Sequence, residues 1–156
     1  MQLTDYLLDQ NDLDWQTAFG RWSWLVPSEF TLWIVSRFAD CFLVLPDNSV
    51  HMLEVAGGTL TRLADSRDDF ASRIDEGNNA NEWLSIPLVD KLVAAGVHLL
   101  PLQCYGFKQP PVLGGRYTLD NISPMPLVEY LCASGQIHEQ LKDLPDGTSV
   151  RLEISP

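Results

Sequence analysis

Between residues 65 and 82 the sequence crowds Asp65, Asp68, Asp69, Asp75, Glu76 and Glu82 around two bases, Arg67 and Arg73. Paired carboxylates are the raw material of general acid–base hydrolysis. That chemistry needs an environment that pushes two pKa values apart. Asp68-Asp69 and Asp75-Glu76 instead flank the ends of a helical stretch, with no apolar pocket signature around them. A charge run of this kind is ordinarily a solvated face. Its functional alternative is a docking surface, because clustered like charge steers a basic partner and raises its association rate. Trp22-Ser23-Trp24 is a second candidate surface, since an extended stretch puts both indoles on one face. Tryptophan is enriched at interface hot spots, although core packing is the competing reading for so large a side chain. The candidate partner-binding residues are thus Asp65, Asp68, Asp69, Asp75, Glu76, Trp22 and Trp24.

Other chemistry fails on spacing. His51, His98 and His138 are scattered, and His138-Glu139 opens like a zinc-protease helix motif but meets Lys142 where the second histidine belongs. Cys41, Cys104 and Cys132 lack the close pairing of a tetrahedral metal site, and free cysteine is usually a buried apolar residue. There is no G-x-S-x-G elbow, and Ser134-Gly135 sits beside no distinctive partner. Gly114-Gly115 with Arg116 lacks the lysine and spacing of a phosphate loop and reads as a tight turn. The expectation is a protein that is not an enzyme, with no catalytic residues, no metal and no cofactor.

The elements that must position these residues divide the chain into an N-terminal helical section, 1–29, and a single α+β domain, 30–156. In the first, Thr4 is expected to cap a short helix through Leu8, and Leu13 to Phe19 to form another before Gly20. A β-meander follows. Leu32–Val35 is a strand, Cys41–Leu45 is apolar throughout as in a strand covered on both faces, Val50–Val55 returns after the Pro46–Ser49 turn, and Thr59–Leu63 follows Gly57-Gly58. Ser66 caps a helix running to Glu76, with Phe70 and Ile74 on its buried face. After Gly77-Asn78-Asn79 comes a short helical turn around Trp83. Ser85 then caps a helix with Pro87 in its first turn, Leu88, Val89, Leu92 and Val93 as its stripe, and Gly96 in a left-handed C-terminal cap. Cys104–Gly115 reads as an ordered loop, Leu127–Cys132 as a strand and Ser134–Leu141 as a short helix with Ile137 and Leu141 inward. The alternation of Val150, Leu152 and Ile154 with Arg151 and Glu153 reads as a final strand. Strands first, helices later and no βαβ rhythm indicate an antiparallel sheet packed against several helices.

Bulk properties narrow the partners. The chain of 156 residues carries 21 acids against 10 bases, a net charge of -11. Such a surface repels phosphate backbones and anionic lipid, so neither nucleic acid nor membrane is expected as a partner. No apolar run approaches the roughly 20 residues that cross a bilayer, and the acidic N-terminus lacks a signal-peptide pattern. A cytoplasmic protein is expected.

From about Arg37 to Gln140 a series of motifs runs in order: Phe38-Ala39-Asp40-Cys41-Phe42, Val50-His51-Met52-Leu53, the serine-led helix ending in Phe70, and Trp83 with Pro87-Leu88. Tyr105-Gly106-Phe107 follows, then Pro110, Pro111, Leu113-Gly114-Gly115 and Asn121, and lastly Ile137-His138-Glu139-Gln140. In these residues the chain resembles the C-terminal domain of type VI secretion immunity proteins that neutralise DNase effectors. That family often has glycine where Ala39 stands, and a longer N-terminal domain where this chain has about thirty residues. The resemblance implies an immunity or inhibitor protein that binds and neutralises a cognate secreted toxin, a basic nuclease effector. A non-catalytic regulatory or scaffolding module of the same fold is the alternative. The loop Tyr105–Gly115 is expected to hold the fold together, since toxin-contact surfaces vary with the partner and turn glycines do not.

Overall fold

The computed structural model describes residues 2–145, 147–149, 151–152 and 154. An α+β architecture is observed, built on a four-stranded antiparallel sheet in the order β1-β2-β3-β4. The strands are β1 (Thr31–Val35), β2 (Cys41–Val44), β3 (Val50–Glu54) and β4 (Thr59–Ala64). The unbroken apolar run of β2 has the expected cause, because all four residues are buried between two helical layers. Phe42 and Val44 join Val50, Met52, Phe70, Leu92 and Tyr105 on one face. Cys41 and Leu43 join Leu53, Val55, Trp22, Leu127 and Leu131 on the other. The two layers thus bury side chains worth about 1.5–3 kcal/mol each.

The first face is covered by α2 (Arg67–Arg73), α3 (Asn79–Trp83) and α4 (Ile86–Ala94). Ser66 caps α2 as expected, its hydroxyl accepting the Asp69 N–H at 3.0 Å. The helix stops at Arg73 rather than Glu76, so Asp75 and Glu76 lie in the following turn. Two acids at a helix C-terminus oppose its dipole, whereas Arg73 in the last turn complements it. Ser85 precedes α4 but has φ 53° and makes no side-chain cap bond. Of the expected stripe, Val89 and Leu92 are buried, Leu88 is half-buried and Val93 is exposed.

The opposite face is covered by α1 (Trp15–Gly20) and α5 (Leu127–Leu141), which pack on each other. Here the structure corrects two expectations. Leu127–Cys132 is no strand but the first half of the 15-residue α5, and Ser134–Leu141 is its continuation. The buried residues Leu127, Leu131, Gly135 and His138 recur at helical spacing. Cys104–Gly115 is only partly loop, since β5 (Gln103–Phe107) pairs antiparallel with β6 (Ile122–Pro126). Near the N-terminus a 3-10 turn spans Leu3–Tyr6, with Gln2 rather than Thr4 as its cap. Of the expected final strand, Val150 and Glu153 lie outside the described residues, and Arg151, Leu152 and Ile154 adopt no strand conformation.

Candidate functional site

The acidic segment sits where β4 runs into α2, and the fold sorts its carboxylates into three kinds. Asp69 is structural. Its Oδ2 accepts the Asp65 N–H at 2.8 Å and the Arg73 Nε–H at 2.9 Å, while its own N–H is bound by Ser66. The Asp65 amide first, and Arg73 second, hold its pKa below the usual carboxylate range. Asp65 is exposed but paired with Arg62 at 2.8 Å, and Arg62 also reaches Asp47 at 3.6 Å. Asp68, Asp75 and Glu76 are exposed and form no ion pair among the described residues. The surface pairs contribute at most about 1 kcal/mol each. What remains for a partner is a net negative rim of Asp68, Asp75 and Glu76 along α2 and its C-terminal turn, beside the exposed Arg67, whose guanidinium lies over the Trp33 ring at 5.7 Å.

The tryptophan pair is placed differently from the sequence expectation. Trp22 and Trp24 share one face, with rings stacked 5.8 Å apart, but that face is turned inward onto α5. Trp22 is 0 % exposed, and its indole N–H donates to the Leu131 carbonyl at 2.8 Å. It has no surface to offer a partner. Half-buried Trp24 donates to the Gly135 carbonyl at 3.2 Å and lies under the Lys142 ammonium at 5.4 Å. Area burial decided the matter: an indole in a turn beside an apolar helix gains more by inserting than by waiting for a partner.

One nucleophile-like arrangement emerges that the sequence did not suggest. The Ser49 hydroxyl lies 2.9 Å from His51 Nε2 and also donates a short hydrogen bond to Asp47 Oδ1. A hydroxyl has one proton, and here the carboxylate takes it, so His51 is the donor to Ser49 rather than its base. Ser49 is also 1 % exposed. The group is a side-chain-stabilised turn between β2 and β3, in which Asp47 Oδ1 also accepts the Ser49 N–H at 3.0 Å. Burial, with the charge of Arg62 second, holds the His51 pKa below its ordinary value.

Asp40 holds a buried carboxyl group, 6 % exposed, whose Oδ1 accepts the Val55 N–H at 2.9 Å. Burial pushes its pKa up to about 8. His138 Nε2 meets the Val55 carbonyl at 2.8 Å, so Val55 is held through both its main-chain groups. Burial lowers the His138 pKa, and a neutral ring donates that bond. Ala39, before Asp40, has φ 65°, a left-handed turn position that suits glycine better. The loop after β5 is likewise built for the fold. The Asn121 side chain bonds Gln109 N and O and the Arg116 carbonyl, at 2.9, 3.0 and 2.8 Å. A Cβ on Gly115 would stand 1.8 Å from the Gln109 carbonyl oxygen. Among the described residues no group of three or more His, Cys, Asp or Glu is placed to hold a metal ion, and no helix is long and apolar enough to cross a membrane.

Residues 64–138 match the family model described as T6SS immunity protein Tdi1, C-terminal. The matched span runs from the end of β4 through α2 to α5. It contains Asp65, Asp68, Asp69, Asp75 and Glu76 and leaves out Trp22 and Trp24. No curated protein matches the chain.

Proposed function

We propose, starting from the match of residues 64–138 to the family model of the C-terminal part of the type VI secretion immunity protein Tdi1, that this chain binds a cognate secreted effector and blocks it without catalysis. An immunity role follows from the family. The finer reading is that the effector is a basic nuclease, met in the cytoplasm, and that residues 30–156 form the recognition domain while residues 1–29 brace it. The observation that carries this reading is the acidic rim of Asp68, Asp75 and Glu76, with Asp65 beside it, inside the matched span and free of internal ion pairs except at Asp65. A nuclease groove must be cationic to hold phosphates, so an acidic rim is a natural competitor for it. Clustered charge of this kind raises association rates by about 10- to 1000-fold at low salt.

Co-expression with a candidate nuclease encoded beside it, scored as rescue from toxicity, tests the immunity role. Association kinetics of the Asp68→Lys/Asp75→Lys/Glu76→Lys variant test the rim. A rate constant lowered about tenfold or more at low salt, converging with wild type at high salt, is expected. Identical kinetics at low salt would remove the rim from the interface.

A further inference from the structure

Among the described residues β4 is an open sheet edge, and the other edges are closed. Along β1 the outward carbonyls of Val35 and Trp33 accept the Leu8 N–H at 2.8 Å and the Gln10 amide at 2.6 Å, and Leu7 bridges Ser36. In the small sheet β5 is tied to the Arg37 carbonyl through the Tyr105 N–H at 2.7 Å. β6 carries Pro124 and Pro126, which have no N–H to donate. Among the described residues β4 forms backbone hydrogen bonds only with β3. Its six residues, Thr59–Ala64, present a row of outward amides and carbonyls roughly 20 Å long. They include two β-favouring threonines and no proline. Folds normally blunt such an edge with lysine, proline, a bulge or a covering element; here the register skips Leu63 near the end of the strand, and Thr59–Arg62 stay in regular pairing with β3. Here the one base on the strand, Arg62, is neutralised by Asp47 and Asp65. Glu54 stands across from Thr59, so the edge is net negative.

We infer that β4 takes an extended, basic segment of the effector as a fifth strand, main chain pairing along Thr59–Ala64 and lysine or arginine side chains reaching Asp47, Asp65 and Glu54. This inference rests on the immunity reading and makes it specific: the acidic rim steers, and the strand edge grips. A second copy of this chain is a poor occupant, because two chains of charge -11 repel one another.

The test is hydrogen–deuterium exchange of the full chain with and without the effector, alongside the affinity of the Thr59→Lys/Thr61→Lys variant. Both threonines are exposed, so the variant keeps its fold, and its melting temperature is the control. Protection of the 59–64 amides on binding is expected, with affinity lowered at least tenfold in the variant. An effector that binds wild type while these amides exchange as before overturns the strand pairing and leaves the acidic-rim reading standing. Failure of wild type to bind any effector overturns both. Protection at 59–64 without effector, accompanied by a dimer mass, assigns the edge to a second copy and overturns the inference alone.

Discussion

Asp40→Asn is expected to make this protein more stable at alkaline pH, against the usual cost of altering a buried polar residue. The carboxyl group is buried, and the Val55 amide is its hydrogen-bond donor. Burial first, and the nearby charge of Glu54 besides, outweigh that hydrogen bond and raise the pKa from 3.8 to about 8. The unfolded chain therefore releases this proton from about pH 3.8 upward, and the folded chain only near 8. The stability tied to the protonated group is complete below about 3.8, drains away across the window between, and is gone above about 8. At about 1.4 kcal/mol per unit, the ceiling on that loss is about 6 kcal/mol. That is comparable with the total stability of a small domain. Asparagine keeps an oxygen for the Val55 N–H and never ionises. Its extra buried N–H donors cost about 1–3 kcal/mol if unpaired, so the variant should gain on wild type steadily from pH 5 to 8 and be the stronger protein near pH 9. Urea unfolding followed by tryptophan fluorescence at intervals from pH 5 to 9 measures this directly. His51 and His138, with pKa values held below 6.5, cost stability only as pH falls through 6.5, and they do so in both proteins. Parallel stability curves for wild type and variant across this range would refute the assignment of a buried, neutral Asp40.

Three further outcomes follow from the packing. Gly58→Ala places a Cβ 2.4 Å from His138 Nδ1 at a φ of +66°, and a loss on the order of 2–3 kcal/mol is expected in thermal or urea unfolding. Trp22→Ala empties a fully buried site and strands the Leu131 carbonyl, so about 3–5 kcal/mol should be lost, enough to unfold much of the population at 37 °C by circular dichroism. Asp69→Ala and Asp68→Ala separate cap from surface: the first should cost about 1 kcal/mol, the second less than about 0.5 kcal/mol by denaturant midpoint.

The sequence by itself determined what is local. Turn residues at Pro46–Ser49 and Gly57-Gly58, the Ser66 cap, and the four-residue spacing of Phe70 and Ile74 each act within one or two turns of chain, and the meander and α2 follow from them. The unbroken apolar run of β2 even announced that both its faces would be covered. Only the tertiary structure decided the rest. Leu127–Cys132, with valine, tyrosine and cysteine, carries β-favouring residues, but a helix there presents Leu127 and Leu131 together to the sheet, and packing overrides propensity. β5 is a strand because β6, distant in sequence, lies beside it. At the candidate site, the sequence showed that carboxylates cluster but not which of them the fold consumes. Asp69 is taken by a cap and Asp65 by Arg62, while Asp68, Asp75 and Glu76 remain outward. Trp22 and Trp24 do lie on one face, yet that face turned inward. The open edge of β4 and the burial of the Asp40 carboxyl group left no mark in the residues themselves. Both depend on what does or does not pack alongside, and a one-dimensional pattern records period and charge, not neighbours.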